Sequence, residues 1–174
     1  MFEHNAKWSC HFDDDTFVNY NMLRKVLHSY DDSKPVYVGR QSIRRAINIT
    51  HSLFETPTKS SFHFATGGAG WCLSRPLLVE MERLLRRKTF RSISSQTRLP
   101  DDMTVGLIVE VLLGVEMIED TRFNSHLNHL ASLDPFLQVR IIIKITDREK
   151  VYSRTKKAFS CPHDVYYLCK CKLD

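Results

Sequence analysis

Apolar residues recur at helical spacing in two segments of the chain, and each spacing predicts a helix with one buried face. The first segment is Val18–Tyr30. The second, Leu99–Val115, has the clearer pattern, and Asp101 or Asp102 can cap its N-terminus. Gly114 is placed to close this second helix. Both helices are therefore expected to pack against a core.

Short runs of β-branched, aromatic and cysteine residues predict strands between the helices. They are Lys7–Phe12, Val36–Gly39, the two ends of Phe62–Ser74, Val115–Asp120 and Phe136–Thr146. A further helix, with Ser74 as N-cap and Pro76 in its first turn, is predicted to run to about Arg87. The polar segments Gln41–Ser61 and Lys88–Arg98 are predicted to be loops. Strands that alternate with helices predict a single α/β domain over residues 1–174.

The composition is ordinary for a soluble globular domain, with 43% hydrophobic and 26% charged residues among 174. The net charge of +5 is spread along the chain instead of being concentrated on one element between aromatic residues. No nucleic-acid partner is therefore expected, whereas anionic small ligands or the surface of a secretory membrane suit this charge. No run reaches the roughly 18 consecutive apolar residues of a membrane span, and the first residues show no signal peptide.

Five cysteines occur in the chain: Cys10, Cys72, Cys161, Cys169 and Cys171. An odd number means that at least one has no partner within the chain. Cys169 and Cys171 are too close together for a usual zinc knuckle, which has about two to four intervening residues. The cysteines alone leave their pairing open.

Asp13, Asp14 and Asp15 place three carboxylates side by side after the first predicted strand. On an extended segment alternate side chains share a face, so Asp13 and Asp15 converge while Asp14 points away. Carboxylate oxygens suit Mg²⁺ or Mn²⁺, and such a metal can also hold a substrate diphosphate. A solvated turn or an N-cap box before Val18 explains the same residues about equally well. An EF-hand is not expected, because its loop glycine and closing glutamate are not at the required positions.

The segment Thr66–Gly70 contains three glycines, Gly67, Gly68 and Gly70. Glycines permit unusual backbone dihedrals and close approach, which suits contact with a sugar or a phosphate. Their spacing matches neither a dinucleotide-binding fingerprint nor a P-loop. Taken alone, a bulge or tight turn is the simpler interpretation.

Four further residues can carry chemistry, although each has a simpler explanation. Asp101 and Asp102 are sufficiently explained as helix-start acids favoured by the helix dipole, and a general base at a pocket mouth is the alternative. His126 can complete a carboxylate metal site, but its spacing alone does not show that it does. Asn48 opens an Asn-Ile-Thr acceptor triplet for N-glycosylation, which has meaning only in a secretory lumen.

Four segments occur in an order that resembles a known family: KWSCHFDDDTFVN, FATGGAGWCLSRPL, LPDDMTVGLIVEVLLGVEMI and FNSHL. They look like the successive motifs of the Fringe glycosyltransferases. The resemblance covers roughly Lys7–Leu130. Core-1 galactosyltransferases and the glucosyltransferase that acts on fucosylated repeats share the Asp triplet and the glycine turn. The cysteine after the glycine turn and the Ser-His-Leu stretch favour Fringe.

The resemblance implies an inverting hexosyltransferase with the glycosyltransferase A fold, a layered sheet with flanking helices. It implies transfer from UDP-N-acetylglucosamine, in a β1,3 linkage, to O-linked fucose on EGF-like repeats of Notch-type receptors. The implied location is the Golgi lumen, with a type II membrane anchor in the full-length form. In the family, the half that precedes the Asp triplet supplies the anchor and the uridine-binding strands, so this chain is expected to be incomplete without them. A non-catalytic glycan- or protein-binding relic and a related β1,3-galactosyl- or glucosyltransferase are the alternatives.

Site residues follow from the resemblance position by position. It implies that Asp15 and His126 ligate Mn²⁺, that Asp14 contacts the donor and that Asp102 is the catalytic base. The other positions implied to bind substrate are Asp13, Asp101, Gly67, Gly68 and Gly70.

Disulfides are also implied by the resemblance. Cys10 and Cys72 are implied to pair, and Cys169 is implied to pair with a cysteine beyond residue 174. The chain departs from the family's pattern at Ser9, His63, Asn124 and Asn128. None of these departures removes a proposed ligand or the proposed base, so they bear on donor or acceptor contacts.

Overall fold

A computed structural model of the chain describes residues 6–13, 16–54, 56–87, 90–124, 142–144 and 165–167. The strands are β1 (Trp8–His11), β2 (Thr16–Val18), β3 (Tyr37–Gly39), β4 (Ile47–Phe54), β5 (Thr56–Phe62), β6 (Trp71–Ser74), β7 (Met117–Glu119), β8 (Ile142–Lys144) and β9 (Val165–Tyr167). The α-helices are α1 (Tyr20–Leu27), α2 (Arg75–Arg87), α3 (Phe90–Thr97) and α4 (Asp101–Gly106). A 3₁₀ turn spans Gly67–Ala69, and a π-helical segment spans Leu107–Leu112.

The central sheet has five strands in the order β7-β3-β6-β1-β9. Strand β6 is antiparallel to both of its neighbours, β1 and β3, whereas β7 and β9 pair in parallel with β3 and β1. The register sets Cys10 opposite Cys72 and His11 opposite Trp71. The chain that leaves β1 toward Asp13 therefore lies beside the chain that enters β6.

Helices cover both faces of this sheet. Alternate residues of its strands face opposite sides, so each face buries its own set of side chains. On one face Cys72 packs with Leu23 and Val26 of α1. On the other face Leu73 packs with Leu77 of α2 and with apolar residues of α4 and of the π-helical segment. This is the layered α/β arrangement that the alternation of strands and helices predicted.

The predicted helices are confirmed, with differences at their ends. Asn19 caps α1 by accepting a hydrogen bond from the Met22 N–H at 3.2 Å. The clearest predicted helix begins at Asp101, with Pro100 as its N-cap residue, so the prediction that Asp101 or Asp102 is the cap was wrong. Both aspartates are first-turn residues of α4. The helix continues as the π-helical segment, and Gly114, with φ of +69°, follows its end as predicted.

Two predicted loops were wrong. Gln41–Ser61 contains most of an antiparallel hairpin formed by β4 and β5, and Lys88–Arg98 contains helix α3. Both segments are held by packing: Leu53, Phe62 and Ile93 are buried together with apolar residues of the π-helical segment. Within the part of the chain that the structure describes, no helix has the length and apolar character needed to cross a membrane.

Candidate functional site

The glycine turn, residues 66–70, lies against the chain that leads from β1 into the Asp triplet. Gly70 has φ of +72°, and a methyl group on its Cα would overlap the Phe12 ring and lie 2.8 Å from the carbonyl oxygen of His11. Glycine fits here because other L-residues rarely adopt this φ and because no side chain has room. The glycine turn therefore meets β1 at its C-terminal end.

The carboxylate of Asp13 faces the glycine turn. Its Oδ1 atom lies 3.6 Å from the position that a Cβ atom of Gly67 would occupy, and 3.6 Å from Nε2 of His11. The Asp13 side chain is 45% exposed, so it can contact a ligand. Asp14 and Asp15 lie outside the described residues, so the predicted alternation of the triplet stays a prediction.

Asp102 reaches the same turn from the start of α4. Its Oδ2 atom accepts a hydrogen bond from the Gly67 N–H at 3.4 Å, and its Oδ1 atom accepts one from the Met103 N–H at 2.8 Å. The adjacent Asp101 is exposed, and its Oδ1 atom accepts a hydrogen bond from the Asp102 N–H. The structure thus distinguishes the two aspartates, because the contact with the glycine turn is made by Asp102.

Tyr37 supports the glycine turn from the core. Its hydroxyl oxygen accepts a hydrogen bond from the Ala65 N–H at 2.8 Å, and its side chain is fully buried. Burial raises the pKa of Tyr37; the hydrogen bond from Ala65 lowers it, and the negative charges of Asp102 and Glu110 raise it. The net pKa lies above the ordinary range, so Tyr37 is a neutral anchor beneath the site.

Glu110 holds the helix that carries Asp102 in place. Its carboxylate accepts hydrogen bonds from the His63 N–H at 2.6 Å and the Met117 N–H at 2.8 Å. Gly106, one turn after Asp102, packs so closely that a methyl group on its Cα would overlap Phe64. These contacts fix α4 against the segment that leads into the glycine turn.

A disulfide joins Cys10 and Cys72, as the resemblance implied. The two residues are directly opposite each other in the β1–β6 pair, with a Cα–Cα distance of 4.0 Å, and both are fully buried. The bond ties the strand that precedes Asp13 to the strand that follows the glycine turn.

His11 is a residue of the site that was not predicted from the sequence. The His11 ring stacks on Trp71 with a centroid distance of 5.1 Å and an interplanar angle of 21°. Its position two residues before Asp13, on the same face of an extended segment, was a usable signal. His11 therefore belongs to the wall of the site.

The chain that leaves β7 is anchored by a buried carboxylate. Asp120 accepts a hydrogen bond from the Tyr30 hydroxyl at 2.8 Å and a bidentate pair from the Arg122 guanidinium, with contacts of 2.6 to 3.1 Å. Burial raises the pKa of Asp120, but the hydrogen bonds from Arg122 and Tyr30 outweigh burial, and its pKa lies below 3.8. Burial and the hydrogen bond to Asp120 raise the pKa of Tyr30 to about 12.

We expect Asp120→Asn to lower the free energy of unfolding by about 1–3 kcal/mol near pH 7, because Arg122 loses a charged partner. The folded pKa of Asp120 is depressed, so its contribution is present above pH 3.8 and is lost as the pH falls through the folded pKa. The difference between variant and parent, measured by urea unfolding, should therefore shrink below that pH. Glu119→Gln is the matched control, because it removes a carboxylate that is 45% exposed. The Oε1 atom of Glu119 lies 3.7 Å from Nε of Arg40. A constant difference at all pH values would contradict this account.

The remaining predicted site residues are distributed as follows. Gly68 lies in the 3₁₀ turn, and Asn48 is exposed on β4. His126, Cys161, Cys169 and Cys171 lie outside the described residues. Among the described residues, no cluster of three or more His, Cys, Asp or Glu side chains is arranged to hold a metal ion. The Asp15 and His126 ligand pair is therefore still a prediction.

Comparison with known sequences finds similar proteins along most of the chain. A sequence-family model described as Fringe-like matches residues 1–164. The chain is 37% identical over 168 residues to beta-1,3-N-acetylglucosaminyltransferase lunatic fringe of Gallus gallus, which covers 94% of this chain and 46% of the relative. Identity to lunatic fringe of Mus musculus is 44% over 131 residues, covering 75% of this chain and 35% of the relative. Identity to radical fringe of Gallus gallus is 41% over 135 residues, covering 76% of this chain and 36% of the relative. The chain spans less than half the length of these relatives.

Proposed function

The chain belongs to the Fringe-like family, and on this premise we propose that it carries the catalytic centre of an inverting glycosyltransferase of the glycosyltransferase A type. The proposed reaction moves N-acetylglucosamine from UDP-N-acetylglucosamine to O-linked fucose on EGF-like repeats of Notch-type receptors, in a β1,3 linkage. The relatives support the reaction class, since they are named beta-1,3-N-acetylglucosaminyltransferases. The observation that carries the proposal is the approach of the Asp13 and Asp102 carboxylates to Gly67.

Asp102 is the proposed catalytic base. Each of its oxygens accepts one backbone hydrogen bond, and an ionised carboxylate offers about four acceptor positions, so lone pairs are available for a proton. Asp102 would take the proton of the fucose 3-hydroxyl while that oxygen forms a bond to the donor's anomeric carbon. The bond from that carbon to UDP breaks on the opposite side, which inverts the carbon in one displacement. No covalent nucleophile is needed.

The donor would lie along the glycine turn, between Asp13 and Asp102. Because Gly67 has no side chain, a sugar can approach the backbone there. Gly68, Gly70, Asp14 and Asp101 are proposed to complete this surface.

The proposed cofactor is Mn²⁺. The half-exposed Asp13 carboxylate at this position suits such a hard divalent cation, which prefers carboxylate oxygens as ligands. Asp15 and His126 are the residues that would hold the ion. When bound, Mn²⁺ supplies Lewis-acid stabilisation of the charge on the departing diphosphate.

The proposed location is the Golgi lumen, with the full-length form anchored as a type II membrane protein. The Cys10–Cys72 disulfide supports a secretory compartment, because disulfides persist in oxidising environments. The proposed partners are the UDP-sugar and the fucosylated EGF-like repeats.

We test the function by transfer of radiolabelled N-acetylglucosamine to an O-fucosylated EGF-like repeat in the presence of Mn²⁺. The assay uses the chain alone and the chain joined to the part of the chicken relative that it does not match, because the chain aligns with 46% of that protein. Product that requires both fucose and Mn²⁺ supports the proposal. Donor binding without transfer in either form would instead favour a non-catalytic sugar-binding protein.

The variant Gly67→Ala tests whether the donor binds at the glycine turn. The added methyl group would lie 3.6 Å from Asp13 Oδ1, an ordinary contact, so the fold should be kept. It would nevertheless fill the space beside Asp13 and weaken donor binding about tenfold, or 1.4 kcal/mol. Unchanged donor binding in Gly67→Ala would place the donor elsewhere.

A further inference from the structure

The β4–β5 hairpin has one buried face and one polar face. Ile47 and Ile49 of β4 point inward and pack with the cluster that includes Ile93 of α3. Asn48 and Thr50 alternate with them and are exposed. The register sets these two residues opposite Ser61 and Lys59 of β5, which are exposed as well. The polar face of the hairpin is therefore open to solvent.

Asn48, Ile49 and Thr50 form the one Asn-x-Ser/Thr triplet in the 174 residues. An N-glycosylation enzyme must recognise the asparagine and the threonine of this triplet. Both residues lie on the exposed face. Their strand neighbours on that face are small or flexible polar residues, so an attached glycan meets no packed side chain. We infer that Asn48 is an N-glycosylation site.

The modification requires a lipid-diphosphate-linked oligosaccharide as co-substrate. The Nδ2 atom of Asn48 forms a bond to the anomeric carbon of the oligosaccharide, and the bond from that carbon to the lipid diphosphate breaks. The lipid diphosphate leaves with the electron pair, and Nδ2 loses one proton. The transfer takes place on the extended segment before β4 pairs with β5, and the folded hairpin then presents the glycan to solvent.

Two features of the chain that are separate from the proposed transferase chemistry support N-glycosylation of Asn48. The Cys10–Cys72 disulfide indicates an oxidising compartment, which is where N-glycans are attached. The glycan would also shield a hairpin that, in the described part of the chain, pairs with no third strand. Exposed strand edges otherwise tend to pair with other chains.

The test is expression of the whole chain behind a cleavable secretory leader in cultured animal cells. We expect a slower-migrating band that peptide-N-glycosidase F converts to the faster form, with Asn48 recovered as aspartate by peptide mass spectrometry. Asn48→Gln and Thr50→Ala should each lose the slower band. Thr50→Ser is the matched control and should keep it, because serine preserves the acceptor triplet.

A parent chain that contains the Cys10–Cys72 disulfide but migrates identically with and without the glycosidase overturns the inference. That disulfide shows that the chain passed through an oxidising lumen. The result is distinguishable from failure of the proposed function, because sugar transfer to fucose is assayed on the same secreted material. A glycosylated chain without transfer supports the glycosylation site and counts only against the transferase.

Discussion

Asp102→Asn is expected to lower the rate of sugar transfer about 10²–10⁴-fold, the usual contribution of a general base. Asparagine has nearly the same shape as aspartate, and its single acceptor oxygen can keep the shorter hydrogen bond, from the Met103 N–H, while the longer one from the Gly67 N–H is lost. It cannot take the proton of an attacking hydroxyl. The loss should therefore appear in kcat, whereas donor affinity, measured by titration calorimetry with UDP-N-acetylglucosamine and Mn²⁺, should change little.

Two comparison variants sharpen this experiment. Asp101→Asn alters an exposed carboxylate that is proposed to bind substrate, so it should raise KM and leave kcat near the parent value. Glu116→Gln alters an exposed carboxylate beyond the helix end and should leave both constants unchanged. If Asp102→Asn instead loses donor binding and keeps kcat, Asp102 is a donor ligand and the base lies elsewhere.

The elements with strong periodicity could be predicted from the sequence. The α1 and α4 helices have apolar residues at helical spacing, and β1, β3 and β7 lie within the short segments for which strands were predicted. The π-helical segment could not be predicted, because its apolar spacing also fits a regular helix. Glu110 interrupts the apolar pattern of this helix in the sequence, but its carboxylate accepts backbone hydrogen bonds from the distant His63 and from Met117, seven residues further along the chain.

The hairpin was missed because one of its strands has almost no apolar signal. Strand β5 is exposed at most positions, contains Pro57 and has Phe62 as its buried residue. In β4, the alternation of Ile47, Ile49 and Leu53 is interrupted by His51, which is buried and hydrogen-bonded to Ser60. Pairing and tertiary packing therefore determine this element more than local preference does.

Helix α3 was missed for a similar reason. Its sequence, FRSISSQT, is rich in serine and threonine, which favour caps and turns over helix interiors. Several of these side chains bond back to the helix, as Thr97 does to the carbonyl oxygen of Ile93 at 2.9 Å. Burial of Ile93 against the hairpin provides the stabilisation that the sequence pattern does not show.

The geometry of the site could not be predicted without the register of the sheet. The sequence places Asp13, Gly67 and Asp102 far apart, and only their order suggested a common site. The antiparallel pairing of β1 with β6 brings the first two together, and the packing of Gly106 on Phe64 brings Asp102 to them. A contact between residues so distant in sequence depends on the whole fold, which local patterns do not encode.

Loss of the Cys10–Cys72 disulfide is expected to lower the free energy of unfolding by about 4 kcal/mol in the chain-entropy account, given its sequence separation of 62. For a domain of this size the melting temperature should fall by roughly 10 °C. The measurement compares thermal unfolding of the oxidised chain, the chain reduced with a phosphine, and Cys10→Ala/Cys72→Ala. Peptide mapping without reductant confirms the Cys10–Cys72 link in the starting material.

The three samples separate the crosslink from the packing. Reduction breaks the bond but keeps two buried sulfur atoms in the core, whereas the double alanine variant also removes their volume. The alanine variant should therefore be the least stable, and donor affinity should fall in both samples, because the bond fixes β1 and the glycine turn together. A melting temperature that is unchanged by reduction would show that strand pairing and core packing alone hold Asp13 against the turn.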